Sequence, residues 1–131
     1  MGYVYYGNYA QYFEVARVEA LREMGLSYKE MEADGVMLPV VHFNIDYKKA
    51  GFYDDELTIK TTIKKLPSTV IKFDYETYNE KNELLNTAHT ALVFINMKTG
   101  KPTRSPDSLN DKLINYTLEF DFAFDKVNNV R

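Results

Sequence analysis

Chemistry in this chain can begin at Tyr6-Gly7-Asn8-Tyr9. A helix starting there leaves its first N–H groups without backbone partners and turns the positive end of its dipole outward. Such an end can hold the negative charge that develops on a carbonyl oxygen under nucleophilic attack. Gly7 would let a ligand come close to the backbone. A Gly-Asn pair also opens helices with no chemical role, so the surrounding residues must decide.

Other candidates for chemistry are few. Glu14 lies off the apolar side of the same segment, with Arg17 three residues on, and this spacing predicts an ion pair. His42 alternates with Val41 and Phe43, and His89 sits between Ala88 and Thr90 in an apolar run; both read as packing or sheet-face residues. No Ser elbow and no Asp-His spacing suggests a triad or a metal site. The chain has no cysteine, which removes thiolate nucleophiles, disulfides and Cys-ligated metals together. No metal or redox cofactor is expected.

Positioning these residues falls to one long helix and a sheet. Tyr9, Phe13, Ala16, Ala20 and Met24 form a stripe at helical spacing, predicting a helix over 9–24 with Asn8 as N-cap and Gly25 just past its end. Val15, Val18 and Leu21 fall outside the stripe, so this helix should be packed on more than one side. Ser27 to Gly35 reads as a short second helix. Beyond it the period changes to two: Val41 to Tyr47, Leu57 to Lys64, Lys72 to Thr77 and Leu85 to Ile95 read as strands joined by short turns, hence antiparallel neighbours. A short helix over 106–113, capped by Ser105, and a strictly alternating aromatic strand from Tyr116 to Phe124 complete the layout. A single α+β domain spanning 1–131 is expected, a long apolar helix followed by a four- or five-stranded meander. A sheet curled around its helix in this way is a hotdog arrangement, although the pattern alone also admits other α+β layouts.

Charge narrows the partners. A net charge of −3 and a pI near 5.4 argue against a nucleic-acid binder, which needs a basic face. No stretch is long and apolar enough for a membrane span, so a cytoplasmic protein is expected.

The run Gly2-Tyr3-Val4-Tyr5-Tyr6-Gly7-Asn8-Tyr9, continued by Tyr12-Phe13-Glu14-Val15-Ala16-Arg17, resembles the signature of the hydroxybenzoyl-CoA thioesterase-like hotdog family. Tyr47-Lys48-Lys49-Ala50 with Tyr53-Asp54-Asp55-Glu56-Leu57 resembles the family's connection between second and third strands. Leu92-Val93-Phe94-Ile95-Asn96, Thr99-Gly100-Lys101-Pro102 and Arg104-Ser105-Pro106 are similar to its last strand and exit, so the likeness covers residues 1–113. It implies an acyl-CoA thioesterase for short, medium or aromatic acyl groups, with the Tyr6 N–H as oxyanion donor and Gly7 allowing close approach. Tyr3, Tyr5, Asn8, Tyr9, Tyr12 and Tyr53 would surround the acyl group, and Lys48, Lys49, Lys101 or Arg104 would meet the phosphates of coenzyme A. It also implies a homodimer or homotetramer with the acyl slot between subunits.

Two features depart from the family pattern. The catalytic Asp would stand two residues before Met1, on a first strand this sequence lacks, and is expected upstream. The strand at 116–124 is additional, either a further edge strand or an occupant of space near the missing first strand. A non-catalytic module binding acyl-CoA or an acyl-carrier protein is the competing reading.

Overall fold

The computed structural model describes residues 6–52, 56–114 and 119–124. Helix α1 runs Tyr6–Glu23, three residues ahead of its apolar stripe. The stripe marks burial, not hydrogen bonding, so it misses the opening turn; Asn8 lies inside that turn instead of capping it. At the other end, Gly25 takes a φ of 77°, open to glycine at little cost. Its N–H meets Arg22 O at 2.8 Å while Leu26 N–H reaches back to Leu21 O at 2.9 Å, the paired bonds of a Schellman ending. Helix α2, Tyr28–Ala33, starts as expected on Ser27, whose Oγ accepts from Glu30 N–H at 3.1 Å.

The strands are β1 (Val36–Met37), β2 (Val40–Tyr47), β3 (Leu57–Thr62), β4 (Val70–Tyr78), β5 (Leu84–Val93), β6 (Ile95–Asn96) and β7 (Glu119–Phe124), with helix α3 (Asp107–Ile114) between the last two. β1 pairs with β6, and the other five form one antiparallel sheet in the order β2-β5-β4-β3-β7. The expected meander is therefore real only for β3, β4 and β5. β2 leaves the sequence order and pairs with β5, so the chain must cross the sheet between β2 and β3. That crossing is pinned where Lys48 and Lys49 both donate their N–H to Leu85 O, at 2.8 and 2.9 Å. β7 pairs with β3 from Leu57↔Phe124 to Thr62↔Glu119, on the edge opposite β2. Residues 115–118, where part of this strand was expected, lie outside the described residues.

Alternation puts Ile59, Ile71, Phe73, Tyr75, Ala88 and Leu92 on the sheet face that packs under α1, where Tyr9, Phe13, Ala16 and Ala20 complete the core. Phe13 stacks on Tyr75 with ring centroids 4.6 Å apart. Leu21 and Arg17 are buried as well, so the helix is enclosed on more than its stripe.

Gly51 is the tightest point of the crossing. A Cβ there would stand 2.5 Å from the Tyr9 hydroxyl and 3.2 Å from Leu85 Cδ1. Tyr9 is only 2% exposed and has little room to retreat. Gly51→Ala should therefore destabilise the fold by about 1–3 kcal/mol, read from urea unfolding.

Candidate active site

As the first helical residue, Tyr6 places its own N–H and that of Gly7 ahead of the first intrahelical acceptor, so amide donors open the helix. The first turn contains no acidic residue. The positive end of the dipole is thus not neutralised by a carboxylate of that turn, which favours an external negative charge. Around this end, Asn8 is half-buried, and Tyr9 and Tyr12 are packed into the core at 2% and 1% exposure, their rings edge to face at 5.7 Å. Tyr47 approaches Tyr9 at 6.0 Å and remains 49% exposed; Phe52, next to buried Gly51, is 44% exposed. Tyr47 gives Tyr9 an open aromatic neighbour that sequence patterning missed, because an edge strand carries it. Tyr3, Tyr5 and Tyr53 lie outside the described residues.

The Glu14–Arg17 ion pair expected from i,i+3 spacing is absent. Glu14 is exposed, whereas Arg17 turns inward to 6% exposure and donates from Nη1 to the Tyr75 hydroxyl at 3.3 Å. Tyr75 in turn shares a 2.8 Å bond with Thr90 Oγ1. The inward path wins because the arginine stem buries well along the helix flank while its head finds hydroxyls. Burial works against the guanidinium charge, but the facing Tyr75 and Tyr28 hydroxyls outweigh it, and the Arg17 pKa stays above its ordinary value.

Burial pushes the Tyr75 phenol up to about 12. A phenol whose pKa is higher when folded stabilises the fold below its unfolded value, near 10, and that contribution is lost as pH rises toward 12. Unfolding free energy should therefore fall over this range, with a shallower slope in Tyr75→Phe, measured by urea titration at several alkaline pH values.

The histidines lie away from the helix start, on the outer sheet face. His42 is exposed on β2, and exposed His89 meets Asp74 on the neighbouring strand β4 through its Nδ1. Asp74 also reaches Lys64 Nζ at 3.3 Å. This is a surface charge chain, and of the two readings given for the histidines, packing or sheet face, both take the sheet face.

Of the cations expected to meet phosphates, Lys49 is paired with Glu83, and Lys48, Lys101 and Arg104 are exposed on separate stretches. A better cluster went unnoticed. Lys64, Lys65 and Lys72 line a cleft of about 450 Å³ with Ser68, Thr69 and Asp74 at the β3–β4 connection; Asp74 pairs with Lys64, and no ion pair to Lys65 or Lys72 is found among the described residues. The signal was present in the sequence: residues 57–73 hold Lys60, Lys64, Lys65 and Lys72 without one acid. Among the described residues, no three His, Asp or Glu side chains are grouped to hold a metal ion. No described helix is long and apolar enough to cross a membrane.

An antiparallel sheet packed on one long helix, whose first turn holds no carboxylate, is the arrangement of the hotdog fold. The sequence model of the Thioesterase superfamily matches residues 1–86, and the chain belongs to that superfamily. The acyl-CoA thioester hydrolase YbgC of Escherichia coli O6:H1 is 32% identical over 108 residues, 82% of this chain and 81% of the relative. The solved structure of DHNA-CoA thioesterase from Staphylococcus aureus is 42% identical with a TM-score of 0.74, over 79% of this chain and 70% of that one. Slr0204, a 1,4-dihydroxy-2-naphthoyl-CoA thioesterase from Synechocystis, is 27% identical with a TM-score of 0.80, over 87% and 85% of the two chains.

Proposed function

We propose that this protein hydrolyses the thioester of a short, medium or aromatic acyl-CoA at the start of α1. The observation that carries this reading is the helix start itself: α1 begins at Tyr6, so the Tyr6 and Gly7 N–H groups precede the first intrahelical acceptor, and its first turn holds no carboxylate. Water adds to the thioester carbonyl carbon, and the carbonyl oxygen takes up negative charge beside the Tyr6 N–H, with Gly7 leaving room for it. Collapse of that intermediate breaks the C–S bond and releases the carboxylic acid and the thiol of coenzyme A. By the family resemblance the base that removes the water proton is an Asp, and none of the residues described above is assigned that role. No metal or redox group is assigned a step.

The acyl group would lie along Tyr47 and Phe52, backed by Asn8, Tyr9 and Tyr12, with Tyr3, Tyr5 and Tyr53 as further contacts. The Lys64, Lys65 and Lys72 cleft offers the phosphates of the nucleotide end a better match than the scattered Lys48, Lys101 and Arg104. The test is thiol release from a panel of acyl-CoAs by the full-length protein. Hydrolysis of at least one member is expected. Binding without release would favour the non-catalytic module, and neither binding nor release would sink both readings.

A homodimer belongs to the same proposal. β2 is a sheet edge, and Val40, Val41, Phe43 and Tyr47 along it are 45%, 60%, 40% and 49% exposed. An apolar edge of this length is covered by a second copy in the reading supported here. Val41→Lys should leave a monomer by light scattering and lower activity by at least about tenfold if the slot needs both subunits; a wild-type monomer would contradict the dimer. Location in the cytoplasm is part of the proposal and rests on the cysteine-free composition.

A further inference from the structure

The segment Arg104-Ser105-Pro106 has no part in the hydrolysis proposed above, yet the fold buries its serine to 5% exposure. The sequence predicts Ser105 as the cap of α3. The helix begins instead at Asp107, and the serine turns to the connection between β3 and β4. Its N–H donates to Ser68 O at 2.6 Å and its hydroxyl to Pro67 O at 3.2 Å, with Asn110 Oδ1 2.9 Å from the same hydroxyl. Phe94 N–H donates to the next carbonyl, Thr69 O, at 2.9 Å.

Residues 63–69 link β3 to β4, and Lys64, Lys65, Leu66, Ser68 and Thr69 of this stretch line the lysine cleft with Lys72. Pro67 is buried, whereas Lys64, Lys65, Ser68 and Thr69 are exposed. The connection is thus tied down through its carbonyls by a distant part of the chain, while its lysines stay on the open side. Like charges repel, so lysines on a loose connection would drift away from Lys72 on β4. A loose connection would also have to be ordered each time an anion bound, at a cost in affinity. We propose that Ser105 is a positioning residue for the lysine cleft: by holding Pro67 O and Ser68 O it fixes the connection in the shape that brings Lys64 and Lys65 toward Lys72. Ser105 does not line the cleft and acts only through the connection. The proposal rests on the reading that this cleft receives the phosphates of coenzyme A.

The probe is adenosine 3′,5′-bisphosphate, which carries the 3′- and 5′-phosphates of that nucleotide without the thioester arm, so its binding needs no hydrolysis. The full-length protein is titrated by calorimetry well below the melting temperature of each variant. Ser105→Ala should bind the probe about fivefold more weakly than wild type, roughly the factor of one buried hydrogen bond. Lys64→Gln combined with Lys72→Gln should weaken it at least about tenfold. In steady-state thiol release, Ser105→Ala should raise KM for an acyl-CoA by about fivefold as well. KM for the matching acyl-pantetheine, which lacks the nucleotide, should stay at the wild-type value. A serine that served stability alone would leave both KM values unchanged or move them together. Normal probe binding by Ser105→Ala, with weakened binding by the lysine variant, would overturn the positioning role and leave the cleft reading standing. Normal binding by the lysine variant, or no binding by wild type at about 10 mM, would overturn both. An equal rise in KM for the two substrates would overturn the positioning role too.

Discussion

Tyr6→Pro should lower kcat by about 100- to 1000-fold, the usual effect of losing one oxyanion donor. Proline is well suited to the first position of a helix, where its missing N–H breaks no intrahelical bond and its fixed φ fits the turn. The substitution therefore deletes the proposed donor while keeping α1. Steady-state thiol release at saturating acyl-CoA gives kcat, and thermal unfolding reports whether the helix survives. A large fall in kcat with a melting temperature close to wild type is expected. Tyr6→Phe is the control, since it keeps the amide, and it should retain most of the activity. A Tyr6→Pro enzyme that is folded and fully active would remove the helix start from the mechanism.

The second large effect is on stability. Phe13 is fully buried and stacks on Tyr75 at 4.6 Å, with Tyr9 at 6.2 Å and Phe43 at 6.0 Å as further ring neighbours. It ties α1 to the centre of the sheet and to the β2 edge together. Truncation leaves a cavity that rigid aromatic neighbours cannot close, so Phe13→Ala should cost about 3–5 kcal/mol. That is a large part of the 5–15 kcal/mol or so that a domain of this kind possesses. Phe13→Leu should cost noticeably less, because most of the volume is kept. Equal midpoints for the two variants in urea would show that the ring stack contributes little.

Much of this architecture was legible in residue order, and the failures have physical causes. Tyr9, Phe13, Ala16, Ala20 and Met24 announced the buried face of α1 because one side of that helix meets only apolar groups. The true helix start was missed because its first turn has no apolar face to read, and that turn is where the chemistry is placed. Period two revealed β3, β4 and β5, but strand order depends on where a connection crosses, and nothing in Val41 to Tyr47 says that its partner is β5. Gly51 reads in the sequence only as a turn signal with Ala50, and the structure makes it a close approach of the backbone to the Tyr9 hydroxyl.

The site shows the same division. Gly7-Asn8 and the aromatic run pointed to the helix start through a family likeness, since an amide donor leaves no trace in side-chain chemistry. Spacing alone paired Glu14 with Arg17, and the structure instead sends the arginine inward to Tyr75. An i,i+3 ion pair on a solvated helix is worth only about 0.2–0.5 kcal/mol, so modest packing and hydroxyl contacts can overrule it. The Lys64, Lys65 and Lys72 cleft was visible as an acid-free segment but became a site only once the β3–β4 connection brought the three together.

The most direct test is a crystal structure of the protein with an acyl-CoA analogue whose thioester sulfur is replaced by a methylene group. Its ketone oxygen should lie about 2.7–3.1 Å from the Tyr6 nitrogen, along the axis of α1. A ketone oxygen bound elsewhere, with the Tyr6 N–H facing bulk water or capped by the protein's own backbone, would contradict the assignment.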